Sequence, residues 1–196
     1  MKVGAVITAA GMSSRMGDFK QLMKIGPYPM IEHLIRKFKQ AGVEDIVIVT
    51  GYKSDMLREA LAKYDIEFVY NCNCDRTQMF DSVKLGLDYI KDKVDRILYC
   101  PCDIVLFSID TVRKIKGSDG LIVIPTFKGK SGHPVSIESN LIESILEYTG
   151  DDGLRGAMRK TRVDYTYIEV DDIGILMDAD TRTDYERMIE QYEREE

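Results

Sequence analysis

Short runs rich in β-branched residues alternate with longer amphipathic stretches along most of this chain, and no other feature narrows its fold as much. Residues 3–8, 46–50 and 66–70 read as strands, and residues 30–41, 55–63 and 79–90 as the helices that follow them. In the stretch from residue 30, Met30, Ile31, Leu34, Ile35, Phe38 and Ala41 fall on one stripe, with Glu32, Arg36, Lys37 and Lys39 off it. This βαβαβα order continues into strands at 96–100 and 121–125, and such alternation builds a mainly parallel sheet with helices on both faces. The rhythm then changes. Residues 133–137 and 164–170 read as strands and 140–148 and 154–160 as helices, without regular alternation, so mixed strand directions are expected there. Residues 184–195 form a polar C-terminal helix, with Thr181 as its N-cap and Asp184 closing a loose capping box.

A length of 196 residues at 44% hydrophobic content suffices for one sizeable core, so a single domain over residues 1–196 is expected, without repeats or linkers. The balance of 27 Lys and Arg against 33 Asp and Glu gives −6, which leaves no basic field for a nucleic-acid backbone or an anionic membrane surface. No apolar run approaches the ~20 residues that span a bilayer, and the opening residues lead into a strand without a cleavage site. The expected location is the cytoplasm. Cys72/Cys74 and Cys100/Cys102 are spaced C-x-C, neither a redox C-x-x-C nor a zinc knuckle, and are read as reduced thiols near strand ends with no metal assigned to them.

Chemistry concentrates in two places. The segment from Ala9 to Lys20 follows the first strand and gathers Gly, Ser, Arg and Lys where backbone N–H groups can face an anion. It is neither a Walker A loop nor a Gly-x-Gly-x-x-Gly dinucleotide turn. A Gly/Ser turn after a strand is also ordinary loop chemistry, but Arg15 and Lys20 bracketing it point toward a nucleotide. The second place is Asp103, just beyond a strand end, where open parallel sheets place ligands. A carboxylate there suits Mg²⁺, which needs one or two carboxylates plus substrate phosphates, and Asp178 and Asp180 are candidates for the second. A single Asp at a strand end is as readily a turn or cap residue. His33 lies beside an apolar stripe and reads as packed, whereas His133 sits in a tight Gly132-His133-Pro134 turn that a structural histidine would not need.

The run Ile7-Thr8-Ala9-Ala10-Gly11-Met12-Ser13-Ser14-Arg15-Met16-Gly17, with Lys20-Gln21-Leu22, resembles the opening fingerprint of the molybdenum cofactor nucleotidyltransferases, in their cytidylyltransferase branch. Further similar elements follow in order: Pro29 to His33, Ala41-Gly42-Val43, Asn71, residues 79–87 with Ser82 and Gly86, and Cys102-Asp103. Gly132-His133-Pro134, residues 150–155 and Asp178-Ala179-Asp180-Thr181 complete the set. Many nucleotidyltransferases share the first fingerprint, and the later elements narrow it; the Ala-Ala-Gly start resembles the cytidine-selective form.

The resemblance implies a Rossmann-like three-layer α/β fold and an enzyme that transfers CMP from CTP to the terminal phosphate of molybdenum-bound molybdopterin, with Mg²⁺ as cofactor and pyrophosphate released. It implies hydroxylases of the xanthine dehydrogenase type as recipients. By matched position, Ala9, Ala10 and Gly11 would pass along base and ribose, Ser13, Ser14 and Arg15 would hold the triphosphate, and Lys20 would neutralise charge at the α-phosphate. Asn71 and Ser82 would lie near the nucleotide, Asp103 and Asp180 would hold Mg²⁺ with Asp178 in reserve, and His133 and Arg155 would serve the acceptor side. A phosphomonoester is largely ionised at pH 7, so the absence of a Ser/His/Asp or Cys/His arrangement is consistent with this chemistry. The chain departs from the family pattern at Lys24, Gln78, Val105 and Ser131; a side chain in place of glycine at 78 would crowd a backbone approach to the nucleotide. These departures keep two alternatives in view: another phosphomonoester acceptor, such as a sugar phosphate or phosphocholine, and a non-catalytic nucleotide-binding maturation factor.

Overall fold

The structure, a computed structural model, describes residues 1–12 and 18–195. Its strands are β1 (Val3–Ala9), β2 (Lys24–Ile25), β3 (Tyr28–Pro29), β4 (Asp45–Thr50), β5 (Glu67–Tyr70), β6 (Arg96–Pro101), β7 (Ile122–Phe127), β8 (Lys130–Ser131), β9 (Val135–Glu138) and β10 (Tyr165–Glu169). The helices are α1 (Met30–Gln40), α2 (Ser54–Ala60), α3 (Met79–Ile90), α4 (Ile109–Lys116), α5 (Ile142–Leu146), α6 (Gly153–Lys160) and α7 (Arg182–Glu195). The main sheet runs β10-β7-β9-β6-β1-β4-β5, with β8 hydrogen-bonded to β7. β1 pairs in parallel with β4 on one side and β6 on the other, and every one of its residues is buried, as a central strand covered on both faces requires. β9 runs antiparallel between β6 and β7, so the mixed directions expected late in the chain arise from one inserted strand and the short β8 beside it.

Alternation along β1 sorts the core into two layers. Ala5, Ile7 and Ala9 face a cluster built with Leu34, Ile35 and Phe38 of α1, Leu57 of α2, Val112 and Ile115 of α4 and Met188 of α7. Val6 faces the other cluster, with Phe80, Val83 and Leu87 of α3, Ile142 and Ile145 of α5 and Ala157 of α6. α3 lies close on the sheet because residue 86 is glycine: a Cβ there would sit 2.4 Å from Val6 Cγ1 and 2.8 Å from Val49 Cγ2. Helix starts carry their own signals. Ser108 Oγ accepts from Thr111 N at 3.1 Å to cap α4, and Thr181 and Asp184 exchange backbone-to-side-chain hydrogen bonds before α7, the expected capping box. No helix among the described residues is long and apolar enough to cross a membrane.

The chain leaves β1 to reach β4 on one side, then later returns to place β6 on the other. That reversal of strand order opens a crevice beyond the carboxyl ends of β1 and β6, where ligands of open α/β sheets sit.

Candidate active site

A cavity of about 270 Å³ occupies that crevice. Thr8, Ala10, Gly11 and Met12 line it from the end of β1, Pro101, Cys102 and Asp103 from the end of β6, and Cys74, Thr77, Gln78, Met79 and Ser82 from the turn into α3. Lys20, Gln21 and Asp180 complete it.

Its charged end is built from three distant parts of the chain. Lys20, on a short 3-10 turn (Lys20–Leu22), donates from Nζ to Asp103 Oδ2 at 2.6 Å and to the Ala179 carbonyl at 3.3 Å, and stands 3.6 Å from Asp180 Oδ1. Burial disfavours the charge on Lys20, but Asp103, by both charge and hydrogen bond, with Cys102 and Asp180, holds its pKa above the ordinary lysine value. Asp178 is exposed nearby, its carboxyl held above the usual range by desolvation and by Asp180 and Asp103. Asp103 and Asp180 thus both face Lys20, with Asp178 near enough for their charges to shift it. The donor set of oxygens, open to a cavity with room for phosphates, fits Mg²⁺.

Packing explains how Asp180 reaches this point. A Cβ on Gly174 would meet the Leu106 carbonyl carbon at 2.4 Å, so the turn at Ile173–Leu176 lies hard against the segment that follows Asp103. Gln21, buried beside Lys20, donates to the carbonyls of Ala9 at 3.2 Å and Gly11 at 3.0 Å and so fixes the backbone along one wall. This tie was not among the expected site residues, although Gln21 directly follows the lysine in sequence.

The other expected residues divide. Lys20, Asp103, Asp180, Ala10, Gly11 and Ser82 line the cavity together. Ser13, Ser14 and Arg15 lie outside the described residues. Ala9 is buried behind the wall and contributes its carbonyl to Gln21. Asn71, expected near the nucleotide, lies behind Ser82. It is not part of the lining, because its amide donates to Thr77 Oγ1 and Ser82 Oγ, both at 3.0 Å, and accepts from Asn73 N.

His133 also stands off the cavity. Its backbone N–H donates to the Ile175 carbonyl at 3.0 Å, and its ring packs edge-on to Tyr99 at 5.6 Å. Tyr99 OH pairs with Thr8 Oγ1 at 3.3 Å, which links His133 to the cavity wall through those two residues. Burial pulls its pKa down to about 4 against the opposing Tyr99 carbonyl and Asp103, which leaves a neutral ring at pH 7, and no described residue partners its buried Nδ1. Arg155 is exposed on α6, away from the lining. His33 is packed as expected, its Nε2 2.7 Å from the Ile25 carbonyl.

Gln78, in the place of the family's glycine, lines the cavity and also caps the helix behind it. Its backbone is extended at φ −82°, and its side chain caps α3 by accepting from Asp81 N, while Asp81 accepts from Gln78 N at 2.9 Å. The four cysteines are free thiols, and burial with Asp103 pushes Cys102 up to about 12, so it faces the cavity as a neutral thiol. Among the described residues no group of three or more His, Cys, Asp or Glu side chains could hold a metal ion by itself.

A crevice at the strand-order reversal, with a lysine between two carboxylates, defines a nucleotidyltransferase type of site. Residues 5–165 match the MobA-like NTP transferase domain, and the chain belongs to that family. It is 26% identical to the molybdenum cofactor cytidylyltransferase of Escherichia coli K12, over 97% of both chains. It is 36% identical to the CTP:phosphoglutamine cytidylyltransferase of Campylobacter jejuni, over 58% of this chain and 48% of that protein. A nucleotidyl transferase from Methanothermobacter thermautotroptrophicus superposes with a TM-score of 0.87 at 25% identity, covering 100% of this chain and 99% of that one. The mainly parallel sheet and Rossmann-like fold expected from sequence are those of the family.

Proposed function

We propose that this protein is a Mg²⁺-dependent cytidylyltransferase that transfers CMP from CTP to the terminal phosphate of molybdenum-bound molybdopterin. The observation that carries the reading is the Lys20–Asp103–Asp180 cluster in the cavity at the ends of β1 and β6. Similarity along the whole length to the Escherichia coli molybdenum cofactor cytidylyltransferase supports the choice of donor and acceptor. On this reading the enzyme acts as a single domain in the cytoplasm, and its product passes to hydroxylases of the xanthine dehydrogenase type.

In the reaction a terminal phosphate oxygen of the acceptor bonds to the α-phosphorus of CTP, the bond to the β-phosphate bridge breaks, and pyrophosphate leaves with that oxygen. The nucleophile is already an anion, so no residue need remove a proton. Asp103 and Asp180 would hold Mg²⁺, which when bound offsets phosphate charge and draws electron density from the α-phosphorus. Lys20 turns its ammonium from the carboxylates to the α-phosphate oxygens, with Arg15 adding charge on the triphosphate. Ala10, Gly11, Ser13 and Ser14 bind the nucleotide along the β1 wall. His133 and Arg155 serve the acceptor, His133 by bracing the β6 wall through Tyr99.

A second reading keeps the donor and changes the acceptor to another phosphomonoester. The exposed position of Arg155, away from the cavity, favours it. Pyrophosphate release with CTP, GTP, ATP and UTP in turn, with Mg²⁺, separates the readings when run with molybdenum-loaded molybdopterin, phosphocholine, a sugar phosphate or no acceptor. CTP-selective release that requires molybdopterin is the expected result. Release only with another phosphomonoester selects the second reading, and nucleotide binding without release under any acceptor refutes both.

A further inference from the structure

We propose that Asn71 sets the nucleobase preference of the cavity without touching the base, by fixing the hydroxyl of Ser82 as a hydrogen-bond donor. This rests on the reading that the cavity takes the nucleotide. A serine hydroxyl carries one donor and two acceptor sites and turns to suit its partner, so alone it discriminates poorly between a ligand acceptor and a ligand donor.

The surroundings of Ser82 remove that freedom. The Asn73 backbone N–H, which can only donate, meets Asn71 Oδ1 at 3.0 Å and so fixes which end of the amide is oxygen. Asn71 Nδ2 therefore faces Thr77 Oγ1 and Ser82 Oγ, both at 3.0 Å, and donates one hydrogen to each. Thr77 spends its own hydrogen on the Asn73 carbonyl at 2.9 Å. Ser82 is in the opposite position: it accepts from Asn71, and no described residue accepts from it. Ser82 is 4% exposed and lines the cavity, so its hydrogen goes to water there until a ligand displaces that water, and then needs an acceptor on the ligand. Turning a lone pair to a ligand N–H instead would strand that buried hydrogen.

Cytosine and uracil differ in this respect at N3, an acceptor in cytosine and an N–H donor in uracil. A hydroxyl held as donor and meeting the base at N3, as we infer for Ser82, selects cytosine. The Asn71 amide is the positioning group, and Ser82 is the group that meets the base.

Asn71→Asp tests the assignment, because the carboxylate is nearly isosteric and keeps the acceptor for Asn73 N–H but offers Ser82 an acceptor. Ser82 then turns its hydrogen to residue 71 and presents lone pairs to the cavity. Dissociation constants for CTP and UTP, measured by calorimetry on wild type, N71D, S82A and the double variant with thermal unfolding alongside, report the preference separately from overall affinity. The expected wild type favours CTP, the ratio falls about tenfold or more in N71D and in S82A, and N71D adds nothing in the S82A background. A wild type that favours CTP while N71D keeps the full ratio overturns the role of Asn71 and leaves the cytidylyltransferase reading intact. Retention of the ratio in S82A, which leaves the Asn71 turn alone, overturns it whether or not N71D folds. A wild type that binds CTP and UTP equally overturns it as well, and one that binds neither overturns the functional reading beneath it.

Discussion

Asp103→Asn separates what the Asp103 carboxylate does for the fold from what it does for chemistry. The amide keeps the shape and leaves Lys20 Nζ an oxygen in place of the Oδ2 now 2.6 Å away, but without its charge. Hydrogen bonds involving a charged group contribute about 1.5–3 kcal/mol, and the Lys20 ammonium keeps the new bond in that class, so exchanging an ionised acceptor for a neutral one costs about 1.5 kcal/mol at most. Two features offset part of it: Lys20 retains Asp180 at 3.6 Å, and the carboxylate that helps push Asp178 upward is gone. A net loss of about 1 kcal/mol lowers the unfolding midpoint by about 2–4 °C in a chain of this size. The chemical loss is far larger. Removing one electrostatic group directed at transition-state charge costs about 10²–10³-fold in rate, and on the proposed function the group would also hold the metal. Acceptor-dependent pyrophosphate release across a Mg²⁺ titration, with thermal unfolding of the same preparation, measures both. A near-normal rate would refute the metal assignment, and a midpoint lowered by more than about 10 °C would make Asp103 chiefly a structural residue.

Two further outcomes follow from burial and packing. His133 is held neutral with a pKa near 4, below the ordinary 6.5, so the unfolded chain binds the additional proton between those values. Its stabilising share is therefore complete above pH 6.5 and is lost as the pH falls toward 4; His133→Gln should flatten denaturant stability across that window, and an unchanged slope would show that other groups set it. Gly86→Val places a branched side chain where a Cβ alone meets Val6 and Val49 at 2.4 and 2.8 Å. A loss of about 2–3 kcal/mol in urea unfolding is expected, and wild-type stability would mean that α3 shifts freely on the sheet.

The strands of the parallel half were legible because each is a buried run bounded by polar segments, and α3 falls on the expected residues 79–90. α4 escaped the periodicity because its core side is short, with Val112 and Ile115 buried and Ile109 only partly so among charged residues, yet Ser108 before it and Gly117 after it have the residue types of caps. The direction of β9 was not legible: alternation fixes which side chains point inward, not which way a strand runs. Residue type and position in the chain singled out Lys20, Asp103 and Asp180, and the fold brings these three to one cavity. The partners of Asn71 were not legible because they are decided by how the 71–78 turn closes, nor was the exposure of Arg155, because matching position in a motif does not fix which way a helix faces.

Lys20 meets Asp103 across 83 positions of chain and the Ala179 carbonyl across 159. Contacts of such separation form only after the intervening chain has been organised, and their closure entropy is met by the whole sheet rather than by the site. The charged end of the cavity therefore exists only in the fully assembled molecule: a chain whose C-terminal segment has yet to dock has Lys20 and Asp103 but lacks Asp180. Any ligand that needs all three binds the finished fold and not its precursors, so occupancy of the cavity draws the last segment into place and stabilises it by mass action.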